Sequence, residues 1–530
     1  MPIVDFPLVV SPGIMRDIEP HRLPTGIWSN GLNMHFRDNK AEKAFGFATF
    51  IDAPTVAPKG LFFAPLNNTS FWAYPGLAAI YAFDRDGTKA DITGGTTPTG
   101  DESDLWTYAY LNGIAIFNNG KDDPQQWVPS LGNNCADLSN WPAATVCRTM
   151  RSFLQYLVAL DVTKSGVRSS QMVKWSHGAA AGSVPSSWDE TDTTVDAGEF
   201  LLSATPGIVL DCLPLGNTNI LYKEDSVYGM TFIGGQLVFG FQQLFEDFGL
   251  LARDAVVSFG RKHFVVTNED ILVHNGIQAE SVVDARNRKW FFDKLSEDGR
   301  RNTFCVNVRH RSEIWTFFPM SGAGAANMVM IYNTEQKSTT FREIPHTRFA
   351  VYSPAMRSVI DDSWDEGGAG ADTWGYESTL IWDKSSEVKL KPRFFMINED
   401  ENAIEEFDED IFQDVGVDKK SYLERQTMPF IGPGQNGQMV VDLQQMKFFT
   451  EIWPHITGAA GVEVLVHIGT QNFVDEAVVF QPPKLYIIHT TEVLPIYLTA
   501  RFLTVRFEAT GSDPWELHGF SYEVTPLGSY

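Results

Sequence analysis

Residues 303–343, TFCVNVRHRSEIWTFFPMSGAGAANMVMIYNTEQKSTTFRE, decide the fold. Four apolar runs stand within them: Cys305–Arg309, Glu313–Phe318, Met328–Tyr332 and Thr339–Glu343. Polar and glycine residues separate the runs, and β-branched and aromatic residues fill them, so each reads as a short strand. Working outward, looser versions of the same unit start near Gly60, Asp104, Arg148, Gly207 and Asp254, with the quoted unit starting at Thr303. Ser70–Tyr74 with Ala79–Phe83, Leu105–Tyr110 with Ile114–Phe117, Ile220–Tyr222 with Val227–Thr231, and His263–Thr267 with Ile271–His274 are paired runs inside those units. Successive starts lie 44, 44, 59, 47 and 49 residues apart. A small sheet cannot bury both faces alone, and four strands repeating at this period predict a β-propeller, whose blades cover one another around an axis. Six to eight blades are expected. A pair of large β-sandwiches is the structural alternative.

The flanks extend this reading. Residues 346–418 add runs at Arg348–Tyr352, Thr379–Trp382, Phe394–Ile397 and Ala403–Phe407, which would complete a last blade with help from the N-terminal arm. That arm, residues 1–58, carries Pro2, Pro7, Pro12, Pro20, Pro24, Pro54 and Pro58 and reads as irregular. The last 110 residues read as a compact all-β module, with strands at Tyr422–Phe430, Met439–Trp453, Val462–Ile468, Ala477–Phe480, Leu485–His489, Phe502–Glu508 and Leu517–Thr525. The expected organisation is an arm over 1–58, a propeller-like domain over 59–418 and a β-sandwich-like domain over 419–530, all-β throughout. Ala285–Glu297 is the best helix candidate, and Gly234–Leu251 reads as a second helix or a long loop. The stretches 176–195 and 361–372 read as exposed loops.

Composition bounds the function. The 530 residues carry 41 Lys and Arg against 66 Asp and Glu, a net charge of −25. So acidic a chain repels nucleic acid, which argues against tight DNA binding and suits either solubility or a channel that DNA passes without sticking. The four cysteines, Cys135, Cys147, Cys212 and Cys305, contain no CxxC pair and read as buried free thiols. Met1–Val10 lacks the basic start of a secretory leader, and no run approaches the roughly 20 apolar residues of a membrane span.

Searching for chemistry yields near misses. Gly432–Gly437 matches GxGxxG, but a strand follows where a dinucleotide site needs a helix, so it reads as a hairpin turn. Asn398, Asp400, Asn402 and Glu409 fall at positions 1, 3, 5 and 12 of a calcium loop, yet Ala403 stands where the sharp turn wants glycine, and an acidic turn between blade strands is the preferred reading. HExxH, GxSxG and the P-loop are missing from the sequence. Basic residues gather at Arg286, Arg288, Lys289, Lys294, Arg300 and Arg301 and at Arg309–Arg311, for contact with phosphates or with an acidic neighbouring subunit. No catalytic, cofactor-binding or metal-ligating residue is assigned, and the chain reads as a non-enzyme.

Two groups of segments carry a resemblance. Phe449–Gly458 (FTEIWPHITG), His467–Gln471 (HIGTQ) and Arg501–Phe507 (RFLTVRF) resemble the C-terminal domain of tail nozzle proteins (tail tubular protein B) from short-tailed bacteriophages. Trp28–Asn39 followed by Glu42–Gly46 resembles the opening of the same proteins, although on spacing alone it reads as an ordinary hairpin, Met34–Arg37 with a turn at Asp38-Asn39. The resemblance implies a structural virion protein forming a hexameric ring below the portal and adaptor. DNA would be retained in and ejected through its lumen without sequence-specific binding, and tail fibres or spikes would attach outside. It also implies assembly in the host cytoplasm and residence in the virion tail. A carbohydrate-binding or carbohydrate-active propeller is the alternative function, and a propeller scaffold for protein partners a third.

Overall fold

The computed structural model describes residues 3–66, 69–320, 322–354, 357–359, 387–389, 391–433 and 439–528. Six successive four-stranded antiparallel sheets run from Phe62 to Thr347, each pairing its strands in chain order. Their first, innermost strands are Phe62–Leu66, Thr107–Leu111, Thr145–Phe153, Val209–Leu215, Val256–Phe259 and Phe304–Val308. The starts expected from the repeat fall within three residues of these. A seventh sheet closes the ring with Ala350–Ser353, Arg393–Asn398, Ala403–Asp408 and, as its outer strand, Gly46–Ile51 from the N-terminal arm. The fold is therefore an all-β propeller of seven blades carrying a sandwich module.

Aromatic rings join the blades, which is where the aromatic-rich composition is spent. Phe62 of blade 1 stacks on Tyr108 of blade 2 with centroids 5.1 Å apart, and Tyr108 Oη donates to the Phe63 carbonyl at 2.6 Å. Phe349, entering blade 7, packs against both Phe62 and Phe304, and Trp315 meets Phe394 edge to face at 5.1 Å. Offset and edge-to-face ring pairs of this kind contribute about 0.5–1.5 kcal/mol each beyond their buried area.

Blades 4 and 5 are joined differently. Tyr222 Oη lies 2.7 Å from His263 Nδ1 and 2.7 Å from His274 Nε2, and all three side chains are buried. The outer contacts fix the proton positions. His263 Nε2 faces the Pro214 carbonyl and must donate, so its Nδ1 accepts from Tyr222. The Gly276 amide donates to His274 Nδ1, so His274 Nε2 carries the proton and donates to the Tyr222 oxygen. The result is a one-way chain of satisfied bonds between neutral groups. Burial pushes both imidazoles down to about 4.

The chain ends build the second body. One sheet orders Met34–Arg37, Lys40–Lys43, Trp515–Gly528, Met446–Gly458 and Leu494–Ala500, with Ile3–Pro7 also on Trp515–Gly528. The other aligns Asn30–Leu32, Val417–Met428, Phe502–Gly511 and Glu463–Gln471, the last also pairing Val479–Phe480 and Lys484–Ile487. Trp28, Phe507, Phe520 and Trp515 are buried in the core of this sandwich. The proline-rich arm thus contributes five short strands: Met34–Arg37 and Lys40–Lys43 form a local hairpin, and the arm otherwise pairs with strands of the last 130 residues.

The helix candidate holds one helix, Arg288–Lys294. Gly234–Leu251 is corrected: it contains the outer strand of blade 4, Phe239–Phe245, after a single 3-10 turn at Gly235–Leu237. Leu494–Ala500 is a strand the sequence reading missed. All four cysteines are free and buried. Segments 361–372 and 379–382, and the turn 434–438, lie outside the described residues, although Phe430–Pro433 and Met439–Asp442 flank that turn as a paired hairpin.

Candidate functional site

Each blade's inner strand starts at one face of the propeller. There the loops entering blades 2 to 6 surround a cleft of about 520 Å3. Five guanidiniums line it, those of Arg148, Arg168, Arg253, Arg300 and Arg301, against three carboxylates, Asp161, Glu224 and Asp225. The sign of charge is inverted locally in a chain of net −25. Asp161 holds Arg168 through two contacts, one at 2.8 Å, and Asp104 takes Arg148 at 3.3 Å. Arg253 Nη1 donates to the Arg148 carbonyl at 2.5 Å, and Arg300 Nη2 donates to Asn268 Oδ1 at 3.1 Å. Among the described residues no carboxylate lies within ion-pair distance of Arg253, Arg300 or Arg301. Burial lowers the proton affinity of Arg253, and the charges of Asp254 and Asp211 only partly offset it.

Deeper along the inner strands, Arg151 bridges blades 3, 4 and 5. It makes a two-pronged contact with Asp211 at 2.7 and 2.8 Å and reaches Asp254 Oδ1 at 2.6 Å. Burial disfavours charge on Asp211, but the Arg151 guanidinium prevails and holds its carboxyl below the usual range. Asp254 goes the other way: burial and the nearby Asp211 charge raise it despite Arg151. Asp254 also has φ of +59°, a left-handed conformation that costs a non-glycine residue energy. Its amide donates to Asp211, and its carbonyl accepts from the Cys305 amide. The network stitches blades 3, 4, 5 and 6 together, and two carboxylates with oppositely displaced proton affinities share one cation. Below it the channel walls turn mostly apolar, with Phe63, Leu213, Val257 and Val351 around about 470 Å3.

The sequence candidates scatter. Asn398 caps the turn of a blade 7 hairpin, its Oδ1 accepting from the Asp400 and Glu401 amides. Asp400 binds His346, and Glu409 lies at the far end of the following strand, bound to Arg311 at 2.6 Å. The four residues in calcium-loop spacing therefore do not converge. The basic cluster divides: Arg288 pairs with Asp270 and Asp284, Arg311 is buried with Glu313 and Glu409, and Arg300 and Arg301 alone reach the cleft. Among the described residues no group of three or more His, Cys, Asp or Glu could hold a metal ion, and no helix is long and apolar enough to cross a membrane. Arg148, Arg168 and Arg253 of the cleft lie outside the basic clusters legible in the sequence.

Two exposed apolar areas stand apart from the channel. On the outer edges of blades 3 and 4, Phe200 stacks on Phe241 at 4.4 Å, with Leu201, Phe232, Ile233 and Leu237 exposed nearby. On the sandwich, Leu465 pairs with Leu485 and Gly469 with Phe480 across neighbouring strands, and Leu465, Leu485 and Phe480 are all exposed. Clustered exposed apolar side chains mark interaction surfaces.

The architecture defines the class: a seven-bladed propeller whose two chain ends combine in a β-sandwich. No protein-family model matches the sequence, and no curated protein does. Several solved propeller structures are similar in fold. A streptogramin B lyase is 12% identical and covers 69% of this chain and 97% of its own, with a TM-score of 0.37. The WD40 domain of Toxoplasma gondii coronin is 7% identical, covering 71% and 87%, with a TM-score of 0.37. YCF48 bound to D1 peptide is 9% identical, covering 69% and 96%, with a TM-score of 0.34.

Proposed function

We propose that this chain is a structural subunit of the tail nozzle of a short-tailed bacteriophage. In this reading identical copies form a ring, six in number, below the portal and adaptor, and DNA leaves the virion through its lumen. The role is non-catalytic. One observation carries it: the two distant groups of segments that resemble nozzle proteins belong to one folded unit. Trp28 of the first group meets Phe507 of the second edge to face at 6.2 Å, and Tyr422–Glu424 lies between them, pairing with Asn30–Leu32 on one side and with Arg506 and Phe507 on the other. A resemblance arising by chance at both ends of a chain has no reason to meet in one sandwich.

Two further features fit. The apolar areas on the propeller rim and on the sandwich are different surfaces, as a head-to-tail contact in a closed ring requires. A net charge of −25 per copy gives the assembly an acidic field that DNA slides past without binding. Negative-stain electron microscopy of the purified chain, alone and mixed with the portal and adaptor, tests the reading. Sixfold rings with an open centre are expected. The double variant Leu465→Asp, Leu485→Asp should reduce them to monomers with unchanged far-ultraviolet circular dichroism. Monomers in both wild-type samples would overturn the assignment.

A further inference from the structure

The arginine-lined cleft has no part in the nozzle reading, and its construction points to a small ligand. We propose that it binds a phosphate ester of about nucleotide size, with Arg253, Arg300 and Arg301 holding the phosphate. The volume of about 520 Å3 lies within the range of small-molecule sites, roughly 300–1,000 Å3. The three guanidiniums have no carboxylate partner within ion-pair distance among the described residues, whereas Arg148 and Arg168 are already engaged. Guanidiniums present planar donor forks that match phosphate oxygens two at a time. A single carboxylate would satisfy one such fork and leave the others facing solvent, while a dianionic phosphate answers more than one.

The blade 4 side fits the rest of such a ligand; Asn268 joins it to the arginines, accepting from Arg300 at 3.1 Å and donating to the Glu224 carbonyl at 3.1 Å. Glu224 and Asp225 stand in the turn between the second and third strands of blade 4, with Gly207 against them. One Glu224 oxygen accepts from the Ile208 amide at 3.1 Å, leaving the other free as an acceptor. These carboxylates would repel an anion and suit hydroxyl or amino donors. The cleft is therefore two-sided, cationic toward blades 5 and 6 and anionic toward blade 4. It matches a molecule with a phosphate at one end and hydrogen-bond donors at the other. A nucleotide and a sugar phosphate share this chemistry.

Isothermal titration calorimetry on the full chain tests the proposal and distinguishes the two sources. The probes are ADP, glucose 1-phosphate and inorganic pyrophosphate, with citrate as an anion lacking phosphate. Saturable binding of ADP or of glucose 1-phosphate is expected, whichever is tighter naming the source, with affinity falling as salt screens the charges. Arg300 and Arg301 lie at the cleft rim outside any strand, so the double variant Arg300→Ala, Arg301→Ala should fold normally and bind at least about tenfold more weakly. The Glu224→Gln, Asp225→Asn variant should weaken ADP or glucose 1-phosphate while leaving pyrophosphate unchanged or tighter. Three results would each overturn the proposal: no saturable heat with any phosphate probe up to about 5 mM, equal affinity in the double-arginine variant, or citrate binding as tightly as the best phosphate ester. None of these bears on ring formation, so the nozzle reading stands or falls separately.

Discussion

Replacing Tyr222 by Phe removes one oxygen and should cost more than any hydroxyl deletion on the surface. In the wild type that oxygen accepts from His274 Nε2–H and donates to His263 Nδ1, both at 2.7 Å. Neither histidine can compensate by changing tautomer. His274 Nδ1 is committed to the Gly276 amide, and His263 Nε2 to the Pro214 carbonyl. The variant therefore buries one orphaned donor and one orphaned acceptor, each costing about 1–3 kcal/mol, for a total of about 2–6 kcal/mol with almost no change in volume. Tyr228→Phe is the matched control. Tyr228 is also buried, but its hydroxyl meets Thr205 and Gln243, which are less enclosed, so about 0.5–1.5 kcal/mol is expected. A chain with two bodies need not unfold in one step, so native-state hydrogen exchange at Ile220–Lys223 and Lys262–Val266 is the assay, with urea unfolding beside it. The same relay sets an acid limit. With both imidazoles pushed below their ordinary value to about 4, the unfolded chain binds protons that the folded chain refuses. The relay's contribution is complete above about pH 6.5 and is lost as pH falls through about 4, a drop of order 3 kcal/mol per imidazole. If Tyr222→Phe protects these amides to within about 0.5 kcal/mol of wild type, the two buried groups are not orphaned and the one-way chain of bonds is wrong.

Three further outcomes are expected. Arg151→Ala leaves Asp211 and Asp254 facing each other without their cation and should destabilise blades 3 to 5 by about 3–5 kcal/mol, read by urea unfolding; Arg151→Ala with Asp211→Asn and Asp254→Asn together should recover part of the loss. Burial opposes the Glu313 charge, but His35, Arg311 and Trp315 hold its carboxyl at about 2, and His310 and Arg311 hold Glu409 at about 2. Their contribution is full above about pH 4.5 and disappears as pH falls toward 2, so Glu409→Gln should flatten the acid limb of a stability-against-pH curve. Calcium chloride should shift the melting temperature by less than about 1 °C, since the carboxylates in calcium-loop spacing are spent on His346 and Arg311.

How legible each part was in the sequence follows from how local its causes are. Blade starts could be read because a blade is one run of consecutive hairpins, each with its own alternation and turn residues. Phe239–Phe245 was misread because its pattern, FGFQQLF, puts aromatic residues at a spacing that a short helix or a loop also tolerates. Leu494–Ala500 went unseen because Pro495 lies inside it; it survives as the outer strand of its sheet, where a missing amide costs little. Only the local hairpin at Met34–Arg37, with its turn at Asp38-Asn39, could be read in the arm; the rest read as irregular because its short strands have little period to detect and take their partners from the far end of the chain. The cleft was illegible for the same reason, since Leu105 and Arg301 line one cavity from loops nearly two hundred positions apart. Arg300 and Arg301 were noticed only as a local excess of charge.

The crossing point between the two bodies explains why the arm and the C-terminal module cannot be separated from the ring. Gly46–Ile51 completes blade 7 on the outside, and its neighbour on the other side is Asp414, which leads into the first sandwich strand, Val417–Met428. The chain thus enters and leaves the propeller side by side. Gly46 has to be glycine, because a Cβ there would stand 1.8 Å from the Gln413 carbonyl oxygen. Asp414 Oδ1 accepts from the Phe47 amide at 3.1 Å and from Arg342 at 2.8 Å, while its other oxygen meets Lys419. Each of these partners comes from a different part: the arm, blade 6 and the sandwich. A ring closed only by its own last blade could open without disturbing anything else. Here opening blade 7 also disturbs the Asp414 contacts that reach blade 6 and the sandwich, while the arm stays paired to the sandwich through Ile3–Pro7, Asn30–Leu32 and Lys40–Lys43. The two bodies are therefore joined through several shared contacts rather than by a single linker.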